Sequence, residues 1–184
     1  MDVQPFHALV GRYAEMLGIP VPKIRLTDDE HGPFYEPLRH RLNMDRKTLT
    51  LGDEAVCAIT AHEMGHARQR KSLLREFSLT MSSLALATAA PICAASMCPF
   101  GWKSRWLLGG VLVLLSLKAY KAFWIPRVDQ SLLARELDAD AVSASLCGAA
   151  ATLAALEATI ADWGPIEFQD ERREALQAAV EKDE

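Results

Sequence analysis

No two cysteines in this chain stand two residues apart. The four present, Cys57, Cys93, Cys98 and Cys147, follow none of the regular spacings of a disulfide framework or a structural zinc module. They read as small apolar residues buried in a reducing compartment. Positive charge is not in excess either, since 20 Lys and Arg face 24 Asp and Glu for a formal net charge of -4. That leaves no cationic field to hold a phosphate backbone, and nucleic acid drops out as a partner. The opening residues MDVQPFHALVGRYAEM lack the basic start and apolar run of a secretory signal, so synthesis and folding in the cytoplasm are expected unless an internal segment targets the chain. From Phe77 to Trp102 charge is missing altogether: 26 residues contain no Asp, Glu, Lys, Arg or His. A helix needs roughly 20 apolar residues to cross a bilayer.

A short basic turn, Lys103-Ser104-Arg105, follows that segment and leads into WLLGGVLVLLSLKAYKAFWI. This second apolar stretch carries Lys118 and Lys121 near its end, where lysines can snorkel to the headgroups. Trp102, Trp106 and Trp124 fall at the segment ends, the place amphipathic rings prefer. The pattern suits a helical hairpin inserted at 77–125, with candidate spans 79–98 and 106–125. Arg68, Arg70, Lys71 and Arg75 precede the first span and Lys118, Lys121, Arg127 and Arg135 lie at or beyond the end of the second, so the positive-inside bias puts both long arms in the cytoplasm. The alternative is that both stretches are buried helices of a soluble core, since Pro91, several Ser and Thr and the two lysines lower the hydropathy.

With 184 residues, 50% of them hydrophobic, the chain suits one domain, 1–184, around the inserted hairpin. Phe6, Leu9, Val10, Tyr13, Met16 and Leu17 recur at helical spacing until Gly18, Pro20 and Pro22. Lys23 to Thr27 alternates like a strand, DDEHGPFYEP reads as a loop, and Arg39 to Met44 and Thr48 to Leu51 read as two short strands. Asp53 is a plausible N-cap for a long helix through EAVCAITAHEMGHARQRKSLL. SLLARELDADAVSASLCG, AAATLAALEATIADWG and EFQDERREALQAAVEKDE read as three further helices. The fold class is mainly α with a small β-sheet.

Within AHEMGHARQR, His62 and His66 stand at i and i+4, one turn apart on one helix face, where two imidazoles can meet one metal ion. Glu63 points in an adjacent direction, placed to take a proton from a water that the ion has made acidic. A catalytic zinc needs a third protein ligand. After the hairpin, RELDAD offers Glu136 to complete a His-His-Glu set, and Asp140, one turn on, to orient a ligand histidine through its other ring N–H.

HEMGH followed by RELDAD resembles the gluzincin metallopeptidases of the HtpX and type I CAAX prenyl protease family, and the resemblance extends over LGIPVPKIRL and LTLGDEAVCAITAHEMGH, roughly Leu17 to Ala144. It implies a zincin-like catalytic domain and a zinc endopeptidase with His62, His66 and Glu136 as ligands to one Zn2+, Glu63 as general base and Asp140 supporting a histidine. HtpX-like members also place apolar segments between the two motif helices. Family members present an edge strand to the substrate backbone; the matching stretch is His40 to Asp45, with Leu42, Asn43 and Met44 as candidate substrate-binding residues. CAAX prenyl proteases enclose their site in a large ring of spans that 184 residues cannot build, which argues against prenylated substrates. A transition-state oxyanion would need a further donor, and His7, His31, His40, Tyr35 and Tyr120 are available by type with nothing to select among them. Arg135 could pair with a carboxylate of its own helix.

The expected function is therefore a membrane-associated zinc endopeptidase with two spans, its site facing the cytoplasm, acting on protein or peptide substrates and touching membrane lipid. The alternative is a membrane adaptor that kept the metal site without activity.

Overall fold

The computed structural model describes residues 2–28, 32–99 and 101–183. It is mostly helical with one three-stranded sheet, and the chain divides into two compact units, Met1–Lys71 with Leu133–Glu184, and Ser72–Leu132.

In the first unit, α1 (Val3–Leu17) buries Phe6, Leu9, Val10, Tyr13 and Ala14, the i, i+3, i+4 stripe that its sequence spacing demands. It stops at Gly18, whose φ of 63° gives the left-handed turn that caps the helix with least strain. Next come β1 (Lys23–Thr27), β2 (Phe34–Glu36) and β3 (Arg41–Asp45) in the sheet order β1-β3-β2. β3 pairs parallel with β1, Lys23 opposite Arg41, and antiparallel with β2, Tyr35 opposite Leu42.

This arrangement corrects the sequence reading of the sheet. Leu42, Asn43 and Met44 do not form an open edge, because β3 is central, hydrogen-bonded on both sides, and buries Leu42 through Asp45. The edges are β1 and β2, and β2 lies in the stretch that reads as a loop. The expected strand at Thr48 to Leu51 is instead a 3₁₀ turn, Thr48–Thr50.

The helix α2 (Asp53–Arg68) has Gly52, not Asp53, at its N-cap; Asp53 and Glu54 occupy its first turn, where carboxylates favour the positive end of the helix dipole. It breaks at Gln69 rather than running on to Leu74, and α3 begins at Arg70. α5 (Ala149–Trp163) packs on α2, with Ala155 against Ala58 and Ile59. α6 (Gln169–Asp183) packs on α5.

The second unit holds most of α3 (Arg70–Ser96) and the first part of α4 (Trp102–Cys147), whose last part belongs to the first unit. Ser131 donates to Glu76 at 2.9 Å, Trp124 donates to Thr80 at 3.4 Å, and Gly109 faces Ala95. These pairs run in opposite chain directions, so the two helices form an antiparallel hairpin. Both are long and apolar enough to cross a membrane, with a mean hydropathy of 1.5 in their most apolar windows. Phe77, Leu79, Leu86, Ile92, Leu107, Leu114 and Phe123 are exposed, so these helices are not the covered core of this chain. Nor are the cysteines buried apolar residues: Cys93 is exposed and the other three are only partly covered.

Candidate metal centre

Three elements of the first unit converge on His62. α2 supplies His62, Glu63 and His66, the last part of α4 supplies Glu136 and Asp140, and α6 supplies Arg172. The helices α2 and α4 meet at Gly65, where an added Cβ would fall 2.8 Å from Ala139 Cα and 3.2 Å from its carbonyl oxygen. Only glycine permits that approach. Beyond it, Arg68 forks onto both oxygens of Asp138 at 2.7 and 2.9 Å, while Gln69 donates to Asp138 at 2.7 Å and to the Arg135 carbonyl at 3.1 Å. The break between α2 and α3 thus frees one side chain to clamp α4.

The donor atoms lie close together. His62 Nε2 and His66 Nε2 are 3.1 Å apart, His62 Nε2 is 3.4 Å from Glu136 Oε2, and His66 Nε2 is 3.3 Å from Glu136 Oε1. A tetrahedral zinc with bonds near 2.0–2.1 Å has ligand-to-ligand edges of roughly 3.3 Å, so this donor set fits such an ion in both chemistry and spacing. Among the described residues it is the one group of three His, Cys, Asp or Glu side chains able to hold a metal.

Around these donors the second set of contacts is nearly closed. His62 Nδ1–H donates to Asp140 at 2.7 Å, and its Nε2 faces Glu136 and His66. Arg172, buried on α6, donates through Nε and Nη2 to the two oxygens of Asp140 at 2.7 and 2.8 Å, and through Nη1 reaches Glu136 at 3.0 Å. Glu63 is buried, and its Oε2 has no hydrogen-bond partner. An unpaired buried carboxylate oxygen beside three converging donors is costly unless something polar sits there.

The electrostatics follow from this crowding. Burial lowers the His62 pKa, but the hydrogen bonds to Asp140 and Glu136 outweigh it and carry the group up to about 9. Burial raises Glu136 and Asp140, yet both end below the usual carboxylate range, Glu136 through His62 and His66 and Asp140 through His62 and Arg172. Glu63 is pushed up by burial, against the opposing charges of His66 and His62 and a weak contribution from the Tyr35 backbone amide. That amide brings edge strand β2 beside Glu63, the position expected from sequence for β3.

Of the residues singled out by type as oxyanion donors, none brings its side chain into this cluster among the described residues. His31 lies outside them. His7 packs edge-on to Phe6 on α1, and Tyr120 stacks on Trp124 in the other unit. Tyr35 and His40 bind each other: the Tyr35 hydroxyl donates to His40 Nδ1 at 2.6 Å and His40 Nε2–H donates to the Pro20 carbonyl at 3.0 Å. Burial pushes Tyr35 up to about 12. This clasp ties β2 to the loop before β1, with His40 held at a φ of 48°, a conformation uncommon outside glycine. Tyr35→Phe removes one partly buried hydrogen bond worth about 1 kcal/mol, and a fall in Tm of roughly 2–4 °C by thermal unfolding is expected for a chain of this size.

Arg172 was not visible in sequence. It sits beside Arg173 in DERRE, and among the described residues Arg173 pairs at the surface, with Glu157 and Asp170. No local pattern separates the two.

Compared with known proteins, residues 36–177 match the family model described as peptidase family M48. No curated protein and no solved structure matches the chain.

Proposed function

Because this chain belongs to peptidase family M48, we propose that it is a zinc-dependent endopeptidase held at a membrane by the α3–α4 hairpin, of the HtpX-like rather than the prenyl-protease kind. The observation that carries the reading is the convergence of His62, His66 and Glu136 next to a buried Glu63 oxygen that has no partner.

In this reading His62, His66 and Glu136 hold one zinc ion, which when bound supplies Lewis acidity to the scissile carbonyl and lowers the pKa of the attacking water. Glu63 Oε2 takes the proton from that water and delivers it to the leaving amine. Asp140 fixes the tautomer and ring plane of His62, and Arg172 fixes Asp140. The substrate backbone adds along β2, the edge strand whose Tyr35 amide lies beside Glu63. This reading moves the substrate strand from Leu42, Asn43 and Met44 to Phe34, Tyr35 and Glu36.

Membrane attachment is supported by two helices of spanning length that leave Phe77, Leu79, Leu86, Leu107, Leu114 and Phe123 exposed. Four basic residues flank each long arm, against Lys103 and Arg105 in the turn, which favours a cytoplasmic site. Exposed or unfolded segments of membrane and cytosolic proteins are then the substrates within reach.

Purified chain and its Glu63→Gln variant, each incubated with casein, test the reading. Casein loss or self-cleavage is expected in the parent and is blocked by a chelator. In the variant, kcat/KM is expected to fall by about 10²–10⁴ while one zinc per chain is retained. Equal cleavage by both would remove Glu63 from the mechanism, and cleavage by neither with zinc still bound would favour the adaptor.

A further inference from the structure

Three helices bring two thiols to one phenolic oxygen. The Tyr13 hydroxyl of α1 lies 3.2 Å from Cys147 Sγ at the end of α4. Cys57 of α2 interacts with the same hydroxyl and with Cys147. Both cysteines are free and only partly buried, and both line one cavity of about 840 Å³ together with Tyr13, Asp53, Glu54 and Gly148. Small solutes therefore have access to the sulfurs. Burial holds the Cys147 thiol above its ordinary value, and the hydrogen bond from Tyr13, which favours the thiolate, offsets only part of that.

We infer that Cys57 and Cys147 are an oxidation site, a dithiol that a hydroperoxide converts into a disulfide joining α2 to the end of α4. One thiolate attacks a peroxide oxygen; the O–O bond breaks, and the oxygen left behind departs as an alcohol, or as water from hydrogen peroxide. The sulfenic acid so formed is attacked by the second thiolate. The S–S bond forms and hydroxide leaves, taking a proton to become water. Two electrons pass from the two sulfurs to the peroxide, and two thiols plus one hydroperoxide give one disulfide, one alcohol and one water. A disulfide in a reducing compartment is transient and sensory rather than structural.

The location gives the bond a consequence. Cys57 is five residues before His62 on α2, and Cys147 lies on the helix that carries Glu136. The bond would join the two helices on which the candidate donors stand, and close a loop containing the whole hairpin. The inference does not rest on peptidase activity, since the thiols, the phenol and the cavity are there whether or not the chain cuts peptides.

The test uses the full chain in detergent, hydrogen peroxide as the probe, then alkylation and peptide mass mapping. A Cys57–Cys147 linked peptide lighter by two hydrogens is expected, reversed by a thiol reductant. Tyr13→Phe is expected to slow its formation several-fold. In Cys57→Ser the link is lost and Cys147 stalls as a sulfenic acid, trapped by a cyclic 1,3-diketone. Cys57 and Cys147 both remaining alkylatable at a peroxide dose that oxidises Cys93 or Cys98 would overturn the inference. So would oxidation of both to sulfinic acids without a link.

Discussion

Gly65→Ala is expected to weaken zinc binding by about tenfold to a hundredfold while leaving the chain folded. The added Cβ would meet Ala139 Cα at 2.8 Å, a backbone atom that no rotamer change can move. To restore ordinary contact at 3.4 Å or more, α2 and α4 must separate by at least 0.6 Å. His62 and His66 stand on one of these helices and Glu136 on the other, with donor gaps of 3.1 to 3.4 Å, so that separation is a sizeable fraction of the spacing an ion needs. Overpacking of this kind costs about 1–3 kcal/mol, which equals a factor of roughly five to 150 in affinity when the strain is relieved by opening the site. Stability alone would be a poor readout, because alanine also gains about 1 kcal/mol over glycine in a helix interior. Metal titration by competition with a chromogenic chelator separates the two effects. Gly11 on α1 is the control: a Cβ there meets nothing within 4 Å, so Gly11→Ala should raise Tm and leave zinc affinity unchanged. Equal zinc affinity in Gly65→Ala and the parent would sink the claim that this contact sets the site.

Arg172→Met should be the most destabilising single change at the centre, by about 3–5 kcal/mol in the metal-depleted chain. The guanidinium is buried and holds Asp140 in a fork while reaching Glu136. Methionine fills similar volume with no charge, which leaves two carboxylates close together with His62, and for Glu136 also His66, to compensate them. A divalent cation replaces part of the missing positive charge, so the loss in Tm should be smaller with zinc than with a chelator present. The neighbouring Arg173 pairs with Glu157 and Asp170 at the surface, and Arg173→Met should leave the Tm nearly unchanged. Thermal unfolding of both variants with and without zinc decides the matter, and equal shifts for the two arginines would rule out the buried role.

What could be read in the sequence was what is local in it. His62 and His66, and again Glu136 and Asp140, are one turn apart, so helical period alone puts each pair on one face before any tertiary contact exists. α1 was legible for the same reason. The sheet was not. β2 has three residues bracketed by Pro33 and Pro37, too few to show alternation, and it is a strand because β3 pairs with it. That β3 is central depends on a parallel pairing with β1 that five-residue strands cannot announce. The break at Gln69 carries neither glycine nor proline; it becomes intelligible only with Asp138 and the Arg135 carbonyl beside it. Arg172 and Arg173 share one local sequence, and which of them turns inward is set by the turn between α5 and α6, where Gly164 and Phe168 have φ of 88° and 57°.

The order in which α2, α4 and α6 appear along the chain also sets a schedule. A ribosome releases His62 and His66 first, then both apolar segments, then Glu136 and Asp140, and Arg172 last. The interval from His66 to Arg172 is 106 residues, or about 5–20 s at ordinary elongation rates. For the first 70 of those residues the histidines lack Glu136, and to the end of the interval they lack Arg172. On the proposed function, a protease assembled in this sequence stays inert while its own unfolded chain is the nearest substrate, and becomes competent only after the hairpin has been made.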